Sequence, residues 1–151
     1  ITAEEEDLEG DGSYQEFSSA LQAVVCSGAV GNMLHATHSK RAASVYRKLA
    51  GGMDRGKAES ELRAVARRAS PSSYVRGGVP PIMLVHGAKD TVVFIDSTDE
   101  FYEAMKAVDA DITYLRFEDA GHGVMGQKRA QTSPAMHTFF EEHLRRVGDR
   151  Q

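Results

Sequence analysis

Two short stretches of the chain hold the side chains best suited to chemistry. One stretch ends at Asp90, and the other places His122 between two glycines. A carboxylate beside a histidine can accept the Nδ1 proton of the imidazole and fix its tautomer, which leaves the other ring nitrogen free to act as a general base. Asp90 and His122 are therefore the candidate acid and base of a proton-transfer site, provided that the fold brings them together.

The residues before each candidate predict the strands that would position them. Ile82–Val85 is continuously apolar, which is typical of a parallel strand covered on both faces. Ile112–Phe117 alternates and is rich in β-branched and aromatic residues, which predicts a further strand. Because reacting groups in open α/β sheets lie beyond the carboxyl ends of the strands, we expect the Asp90 and His122 loops to lie side by side.

The rest of the chain predicts helices around these strands. A short apolar run, Leu21–Cys26, predicts a first strand, and the alternation of strands and helices predicts an α/β fold of parallel strands with flanking helices. Asp96 is a candidate cap for the helix after the second strand, and Ser133-Pro134 is a candidate start for the last helix. The expected buried stripes of the four helices are Ala42, Val45, Tyr46 and Leu49; Ala58, Leu62, Val65 and Ala66; Phe101, Ala104, Met105 and Val108; and Met136, Phe139, Phe140, His143, Leu144 and Val147.

Composition sets limits on what the chain does. Its 151 residues, 41% of them hydrophobic, are enough for one compact domain with a core. A net charge of −4 gives no electrostatic case for binding nucleic acid, and no apolar run approaches the roughly 20 residues that span a bilayer. Cys26 is the only cysteine, so the chain has no internal disulfide. Acidic residues crowd the start, and we predict that residues 1–20 form a solvated, mobile segment.

Several short motifs, in a characteristic order and spacing, point to a family. They are Leu8–Gly12, Ser18–Val25, Ala69-Ser70-Pro71, His86-Gly87-x-x-Asp90, Gly121-His122-Gly123 and Phe139–Leu144. With these motifs the chain resembles the C-terminal half of an α/β-hydrolase, of the esterase and prolyl-oligopeptidase-like branch. The resemblance implies that Asp90 is the triad acid and His122 the triad base. One departure is that Phe94 follows Val93, where the branch usually has a proline.

The nucleophile of such a triad is a serine in a Gly-x-Ser-x-Gly elbow. No serine of this chain has glycine at both the second position before it and the second position after it. Ser27 comes nearest in appearance, but Val25 and Ala29 occupy the two glycine positions. The resemblance implies that the serine and the remaining oxyanion-hole donor lie upstream of the matched region. We therefore expect these 151 residues to be inactive on their own.

The reaction that the resemblance implies is hydrolysis of a small-molecule carboxylic ester through an acyl-enzyme, without a metal or organic cofactor. Residues 21–147 would form the C-terminal part of the hydrolase domain, and residues 31–79 are a possible cap or pocket-roof insertion. His86 is expected to position the Asp90 loop through hydrogen bonds rather than to react.

Two other interpretations remain open at this point. Three parallel strands leave an exposed sheet edge, so the chain could be a non-catalytic fragment that pairs with a complementary N-terminal chain or with a second copy of itself. It could also be a binding module on a degenerate hydrolase scaffold. That last interpretation predicts no hydrogen bond between Asp90 and His122.

Overall fold

Three parallel strands form the centre of the fold. The computed structural model describes residues 5, 8, 11–14, 16–38 and 59–144. β1 (Val24–Ser27) pairs with β2 (Ile82–Gly87), and β2 pairs with β3 (Ile112–Phe117), so β2 is the middle strand. Ile82 lies opposite Val24 on one side and opposite Ile112 on the other. The predicted α/β fold of parallel strands with flanking helices is confirmed.

Helices lie between and after the strands. The α-helices described are α1 (Glu59–Arg68), α2 (Asp96–Ala107), α3 (Val124–Gln127) and α4 (Arg129–Leu144). Two 3₁₀ helices, Met33–His38 and Pro71–Tyr74, lie between β1 and β2. None of the described helices combines the length and apolar character that crossing a membrane requires.

β2 lies at the centre of the hydrophobic core, and all six of its residues are buried. On one face of the sheet Leu84 packs with Phe101 and Met105 of α2. On the other face Val85 packs with Phe139 of α4. Fully burying an apolar side chain of this size contributes about 1.5–3 kcal/mol. Helices therefore hold β2 from both faces, which keeps its carboxyl end in a fixed position.

The start of the last helix differs from the prediction. Ser133-Pro134 does not begin a helix, because α4 already begins at Arg129. The amides of Gln131 and Thr132 bond to the carbonyl of Lys128, so the first turn is closed before the Ser-Pro pair is reached. Proline lacks a backbone N–H, so Pro134, the sixth residue of α4, removes one intrahelical hydrogen bond.

The expected buried stripe of α4 is only partly buried. Phe139 is buried, but Leu144 is 45% exposed. Met136, Phe140 and Leu144 help to line an open groove of about 430 Å³ along α4, and Phe140 also packs against the core cluster that contains Val85 and Phe139. Val147, Ala58 and the predicted helix stripe Ala42–Leu49 lie outside the described residues, as do residues 1–4, 6, 7, 9, 10 and 15 of the predicted mobile segment 1–20.

The starts of α2 and β1 also differ from the prediction. Asp96 gives α2 no side-chain cap, because Ile95 before it is already helical (φ −60°, ψ −29°) and leaves no extended cap position. β1 begins at Val24 rather than Leu21, at the point where the Val24 amide bonds to the Pro81 carbonyl at 2.9 Å. Leu21 is 62% exposed.

Candidate active site

Asp90 closes the loop that follows β2. Its amide bonds to the Gly87 carbonyl at 3.0 Å, and its Oδ1 accepts the amides of Val92 at 2.8 Å and Val93 at 3.0 Å. An aspartate that caps the backbone just after itself holds a turn in one conformation. The side chain of Asp90 is completely buried, and its second oxygen, Oδ2, is left for other partners.

The loop after β3 packs directly on this turn, and Gly87 makes that approach possible. A Cβ at Gly87 would lie 2.2 Å from the Ala120 carbonyl oxygen and 2.7 Å from that of Gly121. Only glycine lets two backbones come this close. The Lys89 amide also bonds to the Ala120 carbonyl at 2.9 Å. The two predicted loops are therefore side by side, as expected for neighbouring parallel strands.

His122 meets Asp90 at this junction. Its Nδ1 lies 2.9 Å from Asp90 Oδ2, a normal hydrogen-bond length. An ionised carboxylate only accepts hydrogen bonds, so the Nδ1 atom carries the proton and the free lone pair of a neutral ring is on Nε2. The imidazole is half exposed, and no hydrogen bond from the described part of the chain occupies Nε2. This arrangement leaves the Nε2 atom of His122 able to accept a proton, which is what a general base requires.

Gly28 forms the wall beside the imidazole. It follows β1 directly and has a left-handed backbone, with φ of +56°. A Cβ there would lie 3.3 Å from both Cε1 and Nδ1 of His122 and 3.6 Å from Asp90 Oδ2. Sequence analysis missed this residue. The available signal was a glycine at the carboxyl end of the strand next to β2.

Hydrogen bonds keep Asp90 ionised in spite of its burial. Burial alone opposes the charge, but the Val93 amide, the His122 imidazole and the Val92 amide together outweigh it and hold the pKa of Asp90 below its usual value. A carboxylate that stays charged can stabilise the imidazolium that forms when His122 takes up a proton.

His86 supports Asp90 from inside the core. It is completely buried, and its Nε2 lies 3.0 Å from Asp90 Oδ2 and 3.0 Å from the Val93 carbonyl oxygen. Its Nδ1 lies 2.7 Å from Thr98 Oγ1. These contacts agree with the positioning role expected of His86. Thr98 belongs to α2 and was not recognised from the sequence.

The family is established by comparison with known proteins. The sequence matches the prolyl oligopeptidase family, peptidase family S9, over residues 15–146. The chain belongs to the prolyl oligopeptidase family. This membership places it among serine hydrolases that include esterases and peptidases.

Relatives of both kinds match this prolyl oligopeptidase family chain. It is 35% identical over 76 residues to the esterase LipC of Mycobacterium tuberculosis, a match that covers 50% of this chain and 19% of the esterase. It is 31% identical over 86 residues to dipeptidyl peptidase family member 6 of Caenorhabditis elegans, covering 57% of this chain and 11% of that protein. The matched region is thus about a fifth or less of these curated relatives.

Solved structures agree with the α/β-hydrolase fold. The esterase Est2 of Thermogutta terrifontis, in a butyrate-bound structure, is 26% identical with a TM-score of 0.66, and the match covers 90% of this chain and 49% of that one. The acylaminoacyl peptidase of Pyrococcus horikoshii is 19% identical with a TM-score of 0.69, over 82% of this chain and 20% of that one. The family member described here therefore corresponds to about half of a compact esterase.

Two other sequence candidates have been located. Ser27 is the last residue of β1 and lies in an extended strand, not in a strand-to-helix elbow. Cys26 is half-buried beside it, and burial raises the pKa of its thiol, so it is a poor nucleophile. Among the residues that the structure describes, no three potential ligands cluster in a way that could hold a metal ion.

Proposed function

We propose that this chain supplies the acid and the base of a serine-hydrolase triad, with Asp90 as the acid and His122 as the base. The whole protein then hydrolyses carboxylic esters through an acyl-enzyme. The observation that carries this proposal is the 2.9 Å contact between Asp90 Oδ2 and His122 Nδ1 at the carboxyl ends of neighbouring parallel strands. Family membership supports the same reaction class.

The geometry supports a definite proton path. With Nδ1–H held by Asp90, the Nε2 atom of His122 takes the proton of the attacking hydroxyl and later returns it to the leaving alcohol. Asp90 stays ionised and stabilises the intervening imidazolium. A degenerate scaffold used only for binding predicts no bond between these side chains, and their 2.9 Å contact weighs against it.

The nucleophile is proposed to be a serine outside these 151 residues. No serine of the chain has the glycine spacing of an elbow. Ser27 lies in a strand, where a hydroxyl lacks the strained exposure that makes such a serine reactive. On this proposal the chain alone does not turn over substrate.

The proposed substrate is a small carboxylic ester with a short acyl group. Support comes from two esterases, one of them at 35% identity and the other solved with butyrate bound. Residues 31–79 are proposed to roof the acyl pocket. The Met33 amide bonds to Ser70 Oγ and the Asn32 amide to Ser97 Oγ, each at 2.8 Å, so both ends of this segment are held near α2.

The outer edge of β1 is proposed as the docking edge for the complementary N-terminal half of the domain. Within the described residues β1 pairs with β2 alone. Yet Val24 and Cys26 pack on the core of one sheet face and Val25 on that of the other, which is typical of a strand inside a parallel sheet. Because the chain matches only 49% of the esterase Est2, the upstream half is favoured over a second copy as the occupant.

One reconstitution experiment tests the proposed role of His122 and the proposed location of the nucleophile outside this chain. The chain is mixed with a second chain that carries the upstream half of the gene product, and hydrolysis of p-nitrophenyl butyrate is measured. We expect activity from the pair and none from either chain alone. His122→Ala should reduce kcat on the order of 10⁶-fold. The control is His137→Ala, because the His137 side chain is 75% exposed and lies on α4 away from Asp90.

Two results would contradict the proposals. Activity of the isolated chain that Ser27→Ala abolishes would show that the nucleophile had been placed wrongly. Equal loss of activity in the His122→Ala and His137→Ala pairs would remove the reason to assign His122 as the base.

A further inference from the structure

A series of buried hydrogen bonds runs from Asp90 into the core. His86 is completely buried between Asp90 and Thr98. Thr98 is also buried, and its Oγ1 donates to the carbonyl oxygen of Ala29 at 2.8 Å. Ala29 follows Gly28, the residue that lines the imidazole of His122. The series therefore links the loops after β1 and β2 behind the candidate site.

The chemistry of the partners determines where the protons of His86 lie. Nε2 faces the Asp90 carboxylate and the Val93 carbonyl oxygen, each at 3.0 Å, and both are acceptors. Nε2 therefore carries a proton. Thr98 has one hydroxyl proton, which it donates to Ala29, so its oxygen is left to accept a bond from Nδ1 of His86 at 2.7 Å. The two contacts of Thr98 are hydrogen bonds at the same time only when Nδ1 carries a proton as well.

We propose that His86 and Thr98 are positioning residues for Asp90, and that His86 donates hydrogen bonds from both ring nitrogens. The catalytic part of this inference rests on the proposed role of Asp90 as the triad acid. Neither residue touches the reacting atoms. They affect the reaction by orienting Oδ2 of Asp90.

The carboxylate of Asp90 shows what this positioning achieves. Two backbone amides bond to Oδ1, and the imidazoles of His86 and His122 bond to Oδ2 at 3.0 Å and 2.9 Å. A carboxylate has about four acceptor sites, so all of them are used. The bond from His86 fixes the rotation of the carboxylate about its own axis, and Oδ2 consequently stays directed at His122.

The surroundings of His86 suit a donor at each nitrogen. Asp90 is the only charged group that the described residues place within hydrogen-bonding distance of the ring. α2 contributes the neutral Thr98, and the loop before α2 contributes the Val93 carbonyl oxygen. One negative charge and two neutral oxygens therefore face a ring with two N–H groups. His122 is a further titratable group beside this site, because its ring shares Oδ2 of Asp90 with His86.

Nitrogen-15 NMR of the labelled chain tests the proton assignment directly. We expect one bonded proton on each ring nitrogen of His86, with the signals assigned by their loss in His86→Gln. In Thr98→Val the Nδ1 proton has no acceptor, so we expect that signal to disappear while the Nε2 proton remains. A wild-type His86 without a proton on Nδ1 overturns the inference.

Kinetics of the reconstituted ester hydrolase test the positioning role. We expect Thr98→Val to lower kcat about tenfold or more with KM within about twofold, because misplacing a catalytic group costs rate rather than substrate binding. Thr98→Ser keeps the hydroxyl and should restore most of the rate. Thr132→Val is the matched control, since Thr132 is an equally buried threonine that donates to the Met125 carbonyl and has no contact with Asp90.

The outcomes separate the two proposals. If His122→Ala leaves ester hydrolysis intact, the proposed function fails, while the NMR result for His86 still stands or falls by itself. If His122 is essential but Thr98→Val and Thr132→Val have the same kcat, the positioning role is wrong. Failure of Thr98→Ser to restore the rate lost in Thr98→Val would also overturn it.

Discussion

Replacing Gly87 with alanine should separate Asp90 from His122. Gly87 ends β2, and a Cβ on it would lie 2.2 Å from the Ala120 carbonyl oxygen and 2.4 Å from the carbonyl carbon. Ordinary contact for such atoms begins at about 3.4 Å, so the two backbones must move apart by about 1 Å. Backbone atoms on both sides leave no flexible side chain that could yield instead.

A displacement of that size has consequences that can be calculated. The 2.9 Å bond between Asp90 and His122 would stretch to about 4 Å, beyond hydrogen-bond range. The bond from the Lys89 amide to the Ala120 carbonyl would weaken in the same way. Overpacking typically costs about 1–3 kcal/mol and a lost backbone bond about 1 kcal/mol more, so we expect a total loss of about 3 kcal/mol.

Urea unfolding of the chain, followed by circular dichroism, measures this loss. With a denaturant slope of about 2 kcal/mol/M, the midpoint of Gly87→Ala should fall by about 1.5 M. The control is Gly126→Ala, because Gly126 lies in α3 with nothing within 4 Å of a Cβ, and it should be neutral or slightly stabilising. If both variants unfold within about 0.3 M of wild type, the close approach at Gly87 does not hold the site together.

Two further predictions concern the same pair of side chains. Gly28→Ala should lower kcat of the reconstituted enzyme about tenfold, because it places a methyl group 3.3 Å from the His122 ring. The control is Gly78→Ala, which also has a positive φ (+76°) but open space around it and should leave kcat unchanged. Equal effects of the two substitutions would show that backbone strain alone is responsible. Because the pKa of Asp90 is lowered in the folded chain, its contribution to stability is present above about pH 4 and is lost as the pH falls through the folded pKa. The unfolding free energy of Asp90→Asn should therefore fall less steeply than that of wild type below about pH 4, and parallel curves from urea titrations would contradict this.

The fold and the reactive pair could be predicted because both follow from local patterns. A continuously apolar run predicts a buried parallel strand, and β3 was predicted with its observed bounds. Once two strands are parallel neighbours, the side chains just beyond their carboxyl ends must meet. The contact between Asp90 and His122, which lie 32 residues apart in sequence, could therefore be predicted from the strand order alone.

The residues that support the pair could not be predicted because their roles depend on long-range contacts. Thr98 meets the carbonyl of Ala29 across 69 positions of sequence, and nothing near Thr98 indicates that partner. Gly28 matters through the ring that it faces, which lies two strands away in the sheet. The Ser133-Pro134 signal failed for a related reason, since the turn closed by Lys128 had already started α4.

The two oxygens of the Asp90 carboxylate have different partners, and this affects how related sequences should be interpreted. Oδ1 closes the loop after β2, whereas Oδ2 serves the imidazoles. A descendant that had lost all catalysis would still need an aspartate at this position to fold the loop. His122 carries no comparable folding duty and would be free to drift, whereas the left-handed backbone of Gly28 favours glycine with or without catalysis. In a survey of homologues, retention of the histidine is therefore the better indicator of a working enzyme, and retention of the aspartate alone is not.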